Sequence, residues 1–496
     1  MATFNMKLYY LAHPTYFWAR GVLISKHSSV IFILLACILI GCNSKHQTSP
    51  WDNYSPTQVQ QEVQIDPLQI KVNALSKYVA DFRQKPFLSS ITAISILPSE
   101  INKVLDSISL AAEEMSQTKY YNLLAHYYLG LGYIKSTTDF IDSVLQTNED
   151  AIAGFYPHHS NVLYVVTRYS TDSIDDNATI VHELTHALQE QQFGSIIYND
   201  ISTWDEMFTI KYLVEGEASY VSDNYYCSQH NINPVFRSWP LTIFRNTILN
   251  YGQLNPECYV LPMAHIYYQG PYLIDRIKTT HGWSGVDNLN YHPLFSTKQC
   301  LHDDQLFSAS YFTKFNWNTY FSGMQDSIFA IDNLGELHIA TLFSSNGFSN
   351  FDSIASGWNG DMFWIFMDTT TNRNTFLWNT AWDTPIDAQE FYKAYHNLLP
   401  IKRKDIVVSD SLTGQSYTFL DTVSKRVSFL KVEGNAVYVL ENIKESSINT
   451  NLTELKSSKI GTSMTKQSSM RSRKIKWMRP FDAWLIKKNK MVNKNR

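Results

Sequence analysis

Asn177–Gln192 reads NATIVHELTHALQEQQ. Ile180, Val181, Leu184, Ala187 and Leu188 recur at helical spacing and give the segment one apolar face. Asp175-Asp176-Asn177 supplies residue types that cap helix N-termini, so the pattern predicts a helix opening there. Within it, His182-Glu183-Leu184-Thr185-His186 is an HExxH pattern. Residues i and i+4 share a helical face, so both imidazoles can hold one metal ion. Glu183 projects beside that face, where a carboxylate can take the proton of an activated water. A chain of this length matches HExxH by accident in roughly 2% of cases, so the neighbouring sequence has to carry the assignment.

A catalytic zinc needs a third protein ligand and one open position. Tyr212–Tyr220 reads YLVEGEASY and places Glu215 twenty-nine residues after His186 in a second helix-compatible stretch. An HExxH helix followed by a helix with an EGxA-type motif resembles the gluzincin branch of zincin metallopeptidases. The resemblance implies that His182, His186 and Glu215 bind Zn²⁺ and that Glu183 is the catalytic base. Ser219 stands where thermolysin-like enzymes carry an Asp, so Glu217 is the candidate acid behind the ligands. An oxyanion partner is expected too, and His265, Tyr267 and Tyr268 of MAHIYYQG, with Tyr220, are the candidates.

Further segments extend the likeness. HELTHALQEQQF, LVEGEASY, YYQGPYLIDRI, STKQCLH, DNLGELHIA, GWNGDMF and WDTPIDAQEF, spanning roughly Gly154–Leu399, resemble in this order a group of poorly characterised bacterial zincin-like proteins. Lys298 departs from the pattern, which has an acid in the STEQ-like element, and Cys300 is also unusual there. Apart from the two metal motifs, these segments have no role derivable from sequence.

Asn161–Arg168, NVLYVVTR, has the β-branched and aromatic content of a strand, and Val162–Val166 is expected along the cleft rim, where an extended peptide would pair with it. From Gln58 to about Gln146 the pattern is helical: Ile101, Val104, Leu105, Ile108 and Ala111-Ala112 follow Pro98-Ser99-Glu100, and Tyr120–Ile134 forms a second apolar-rich segment. Pro157-His158-His159 and Gly357-Trp358-Asn359-Gly360-Asp361 read as turns, and Trp382-Asp383 with Asp387 as a helix start. Arg426–Asn442 is a hairpin turning at Glu433-Gly434-Asn435. After Ser446 the composition shifts to Ser, Lys, Asn and Arg, which reads as a disordered or peripheral tail whose Trp477, Phe481, Trp484, Leu485 and Ile486 would touch an anionic membrane surface or stay solvated.

At the other end, Val30–Gly41 reads VIFILLACILIG, with Arg20 and Lys26 ahead and Cys42 directly behind. Basic residues, a short apolar run and small residues before a processing point form a secretory signal peptide. Leu39-Ile40-Gly41-Cys42 resembles the bacterial lipobox, which implies an acylated Cys42 and a lipoprotein of the cell envelope facing periplasm or exterior. Cys227, Cys258 and Cys300 would remain, enough for at most one disulfide, and no CxxC pair supports a thiolate site.

The net charge is −4, yet Lys456–Arg496 holds thirteen Lys and Arg against Asp482 alone, leaving the rest at −16. An acidic body with a basic tail does not fit a nucleic-acid-binding domain. No GxSxG, Walker or dinucleotide motif appears, so serine-hydrolase and nucleotide-driven readings lack their residues.

The expectation is an α+β protein, mostly helical outside the strand before the HExxH helix and a C-terminal β-hairpin. Its divisions are a signal peptide (1–42), tether (43–57), helical region (58–150), zincin-like domain (151–400), hairpin region (401–446) and basic tail (447–496). The expected function is a lipid-anchored zinc metallopeptidase acting on a peptide or protein substrate. A non-catalytic zincin-fold binding module and a zinc amidase acting on cell-wall material are the alternatives.

Overall fold

The computed structural model describes residues 66–111, 117–157, 160–166, 174–194, 203–249, 256–306, 311–322, 324, 328–368, 373–403, 406–412 and 415–464. The signal peptide, lipobox Cys42, tether and last part of the tail lie outside these residues, as do His158 and His159.

Helix α1 (Pro67–Arg83) opens on Asp66, whose carboxylate accepts from the Leu68 N–H at 2.9 Å, and buries Leu68, Val72, Leu75 and Val79. Strand β1 (Thr92–Ile96) and helices α2 (Ile101–Ala111), α3 (Gln117–Leu131) and α4 (Thr137–Ala151) follow, then β2 (Gly154–Phe155) and β3 (Val162–Val166). These three strands form a sheet of order β1-β3-β2, parallel between β1 and β3 and antiparallel between β3 and β2. Helix α5 (Ile174–Phe193) carries the HExxH residues and lies between this sheet and α1 on one side and α6 (Trp204–Gln229) on the other.

Helix α6 is buried on nearly every face, as is much of α8 (Glu257–Asn288), which follows the short α7 (Leu241–Leu249). Gly216 and Gly270 set the approach of α6 to α8, since a Cβ on either would lie 2.6 Å from the other's backbone. Helix α9 (Thr297–Leu301) and strand β4 (Tyr311–Phe315) lead into the second half of the chain.

There β5 (Ile328–Asp332), α10 (Gly335–Ser345), α11 (Phe351–Ala355), β6 (Trp358–Asp368), β7 (Arg373–Trp382), α12 (Pro385–Lys402), β8 (Ile406–Leu412), β9 (Ser416–Asp421), β10 (Val427–Glu433) and β11 (Ala436–Ile443) build a seven-stranded sheet of order β5-β6-β7-β11-β10-β9-β8, antiparallel throughout. Helix α13 (Ile448–Ser457) and β12 (Lys459–Met464) close the described chain, with β12 antiparallel to β4.

The protein is therefore α+β, with four differences from expectation. The helical reading of the N-terminal region missed β1, whose residues are mostly exposed and show no clean alternation. Pairing to β1 makes β3 a central strand, so Val162–Val166 is not a rim and the outer strand beside α5 is β2. The hairpin at Gly434 is present, but β10 and β11 are two of seven strands, and the β7–β11 pairing and α12 both cross the expected boundary at residue 400. Strands β6 and β7 are buried on both faces and bury polar residues, Asp361, Thr375, Asn379 and Thr380, among apolar ones, so they show no in-out alternation to read. Finally, residues 448–464 are not a loose tail. Leu455 and Asn451 are buried, and Asn379 Nδ2 donates to the Leu455 carbonyl at 2.9 Å and to Ser458 Oγ at 3.0 Å.

Candidate metal centre

Helix α5 begins at Ile174, so Asp175-Asp176-Asn177 fall inside its first turn instead of capping it. Two turns on, His182 and His186 point their Nε2 atoms to within 3.1 Å of each other. Glu215 of α6 completes a triangle, its Oε2 lying 3.2 Å from His182 Nε2 and 3.3 Å from His186 Nε2. Ligand atoms around one tetrahedral ion at about 2.0–2.1 Å stand about 3.3 Å apart, so this donor set fits zinc in both chemistry and spacing. Among the described residues it is the one group of three His, Cys, Asp or Glu side chains arranged to hold an ion.

Three atoms with lone pairs converge here, and Glu215 Oε1 has no hydrogen-bond partner. Burial opposes the charge on Glu215, but His186 and His182 outweigh it and hold its carboxyl well below the usual range. Burial also opposes charge on His186, and Glu215 overrides it and raises that imidazole. His182 is lowered, by burial first. Glu183 is 1% exposed and neither of its carboxylate oxygens has a hydrogen-bond partner, while the Tyr156 amide is near enough to favour the charge without meeting hydrogen-bond geometry. Burial, with Glu215 adding to it, pushes its carboxyl up to about 8. Ala153, Gly154, Leu163, Val165, Asp176, Thr179 and Ile180 line a small pocket beside it between the sheet and α5.

Behind the candidate ligands, His186 Nδ1 lies 2.9 Å from Gln189 Oε1, and Gln189 Nε2 donates to the Val214 carbonyl at 3.1 Å and to Glu217 Oε2 at 3.0 Å. Glu217 thus reaches the site through Gln189, a residue that sequence reasoning passed over although its i+3 spacing from His186 on a helix was legible. The oxyanion candidates separate sharply. Tyr267 stacks obliquely on His182, with centroids 5.9 Å apart. His265 is tied at both ring nitrogens, to Tyr212 Oη and to the Trp239 carbonyl at 2.6 Å each, and holds α8 in the core. Tyr268 packs on Trp239 and Phe244, and Tyr220 on Phe82, Phe236 and Trp283, with Lys278 donating to its hydroxyl at 3.4 Å.

The remaining sequence segments meet in a second buried cluster that fastens the large sheet to α6. Asp361 accepts from the Leu334 and Gly335 N–H groups at 3.0 and 3.1 Å and from the Trp358 and Trp378 indoles at 2.9 and 2.8 Å. Asp332 accepts from the Trp204 and Asn333 N–H groups at 2.9 and 2.8 Å and from the Tyr127 hydroxyl at 3.2 Å. Asp205 accepts from the Thr297 N–H and hydroxyl at 3.0 and 2.5 Å. Lys298, unexpected in sequence, donates to Asp383 Oδ2 at 2.6 Å and the Trp358 carbonyl at 2.7 Å, while Asp387 closes a capping box with Thr384 at the start of α12. Of the expected turn around Gly357, that residue alone is a turn residue, at φ +80°, and Trp358–Asp361 belong to β6. Cys227, Cys258 and Cys300 are buried thiols without a disulfide.

A family model described as a domain of unknown function, DUF8575, matches residues 328–450, which is the large sheet with α10 to α12 and excludes the metal-centre residues. No curated protein and no solved structure matches the chain.

Proposed function

We propose that the protein is a zinc metallopeptidase of gluzincin type, with a zincin-like unit around α5 and α6, anchored in a bacterial envelope through lipid on Cys42. The observation that carries this reading is the convergence of His182, His186 and Glu215 within 3.3 Å beside a buried Glu183 that spends neither carboxylate oxygen on the fold. Asp205, Asp332 and Asp361 are buried and hydrogen-bonded, and a catalytic role is one reason for a buried carboxylate such as Glu183 to stay unpaired. No described helix is long and apolar enough to cross a membrane, so the anchoring rests on the lipobox resemblance alone.

Zinc, when bound by the three ligands, would polarise a substrate carbonyl and acidify a water. Glu183 takes the proton that water loses as it attacks the carbonyl, and passes it to the leaving amine. Strand β2, two buried residues at the sheet edge, lies beside Glu183, a Cβ on Gly154 standing 3.7 Å from Glu183 Cγ. Tyr267, packed on His182, is the candidate to donate to the developing oxyanion.

The test is paired. Parent and Glu183→Gln proteins are analysed for zinc and assayed on a quenched mixed-peptide library and on cell-wall fragments. One zinc in each with peptide cleavage by the parent alone is the expected result. Zinc in both without cleavage of any substrate would leave a metal-binding module, and cleavage of wall fragments alone would make it an amidase.

A further inference from the structure

We propose that Arg83, at the end of α1, is a positioning residue of the metal centre that acts through Glu217 and Gln189 on His186. The proposal rests on the metal-centre reading above and extends it to the N-terminal helix, far from the ligands in sequence.

The chain of contacts fixes its own direction. Gln189 faces two acceptors with one end of its amide, the Val214 carbonyl at 3.1 Å and Glu217 Oε2 at 3.0 Å, so that end is the NH2 group. Its carbonyl oxygen is therefore turned to His186 Nδ1 at 2.9 Å and requires a proton there. With Nδ1 protonated, the neutral imidazole keeps its lone pair on Nε2, the atom in the ligand triangle. A reversed amide would present NH2 to Nδ1 and drive the proton onto Nε2, closing the metal face.

Glu217 prevents that reversal, and Arg83 holds Glu217. The Arg83 Nε donates to Glu217 Oε1, which leaves Oε2 for Gln189. Arg83 is in turn fixed by Nη2 donating to Asp287 Oδ1 at 2.9 Å and by the Trp283 ring, whose centroid lies 3.9 Å from the guanidinium carbon. Arg83 is 1% and Glu217 4% exposed. An ion pair this deeply buried is weak evidence of stabilisation, because an apolar pair fills such space as well. Glu217 divides its two oxygens between α1 and the amide behind His186, so the pair links the end of α1 to the back of that imidazole.

The test is a double-variant cycle read on metal binding. The full-length chain and its Arg83→Met, Gln189→Leu and doubly substituted forms are stripped of metal and titrated with Zn²⁺ against a chromogenic chelator. Each is titrated separately with Co²⁺ to record the visible ligand-field spectrum, and thermal unfolding checks folding. Gln189→Leu should weaken zinc binding by about 10–100-fold, the range for losing a group behind a ligand histidine, and shift the cobalt spectrum. Arg83→Met should weaken it about tenfold alone and add nothing once Gln189 is Leu. If Arg83→Met does not fold, Glu217→Gln, close in shape, replaces it in the same cycle. An Arg83 or Glu217 effect of equal size in both backgrounds, or none in a folded protein, overturns the proposal. A parent that binds no metal overturns the metal-centre reading itself, and this proposal with it.

Discussion

Asp361 and Glu183 are both buried carboxylates on elements packed against the central helices, yet Asp361 accepts four hydrogen bonds and Glu183 accepts none. The contrast extends to their neighbours. Asp205, Asp332 and Asp361 are used up by backbone amides, indoles and hydroxyls, and they join α6, α9, α10 and the large sheet. His182, His186 and Glu215 instead turn Nε2, Nε2 and Oε2 toward one another, and Glu215 Oε1 is left without a partner. The three aspartates spend their oxygens on holding elements together, whereas Glu183 spends neither of its own.

The largest effect that would break this contrast is at Glu183. Glu183→Gln should lower turnover by about 10²–10⁴-fold while leaving stability unchanged to within about 1 kcal/mol, as initial rates and urea unfolding would record. A loss of several kcal/mol would place Glu183 among the structural acids instead.

Asp361→Ala should behave in the opposite way, stranding four buried donors and costing about 3–5 kcal/mol in urea unfolding, with metal retained by the molecules that stay folded.

At Gly335 the same cluster is tested sterically. Its φ is +70° and a Cβ would fall 1.9 Å from Asp205 Oδ1, so Gly335→Ala should cost about 2–4 kcal/mol in thermal or urea unfolding.

The dependence on pH is the most discriminating. Burial raises Asp332 to about 8 and Asp205 to about 7, against the pull of their hydrogen bonds. The folded protein then keeps protons that the unfolded chain releases above about pH 4, so this contribution to stability is full in acid and declines as pH rises toward 8. Unfolding measured across pH 5–8 should show that decline, and Asp332→Asn should flatten it.

The candidate ligands on α5, His182 and His186, were legible because helix geometry makes i and i+4 neighbours, a relation held within one turn of chain. Glu215 was reached through a motif and not through periodicity, since α6 is buried all round and has no polar stripe to read. Arg83 was not legible. Its partner lies 134 residues away, and an Arg at a helix end ordinarily reads as a favourable exposed charge. Likewise His265, chemically plausible at a metal site, is spent on Tyr212 and Trp239, and only the packing of α8 reveals it. Lys298 looked like a departure until Asp383, brought next to it by β7, supplied the opposite charge.

The central claim is that His182, His186 and Glu215 hold one ion, and anomalous diffraction at the zinc absorption edge from crystals grown with zinc tests it most directly. A single strong peak about 2.0–2.2 Å from His182 Nε2, His186 Nε2 and a Glu215 carboxylate oxygen is the predicted result. A peak elsewhere, or none between the two helices, would contradict it.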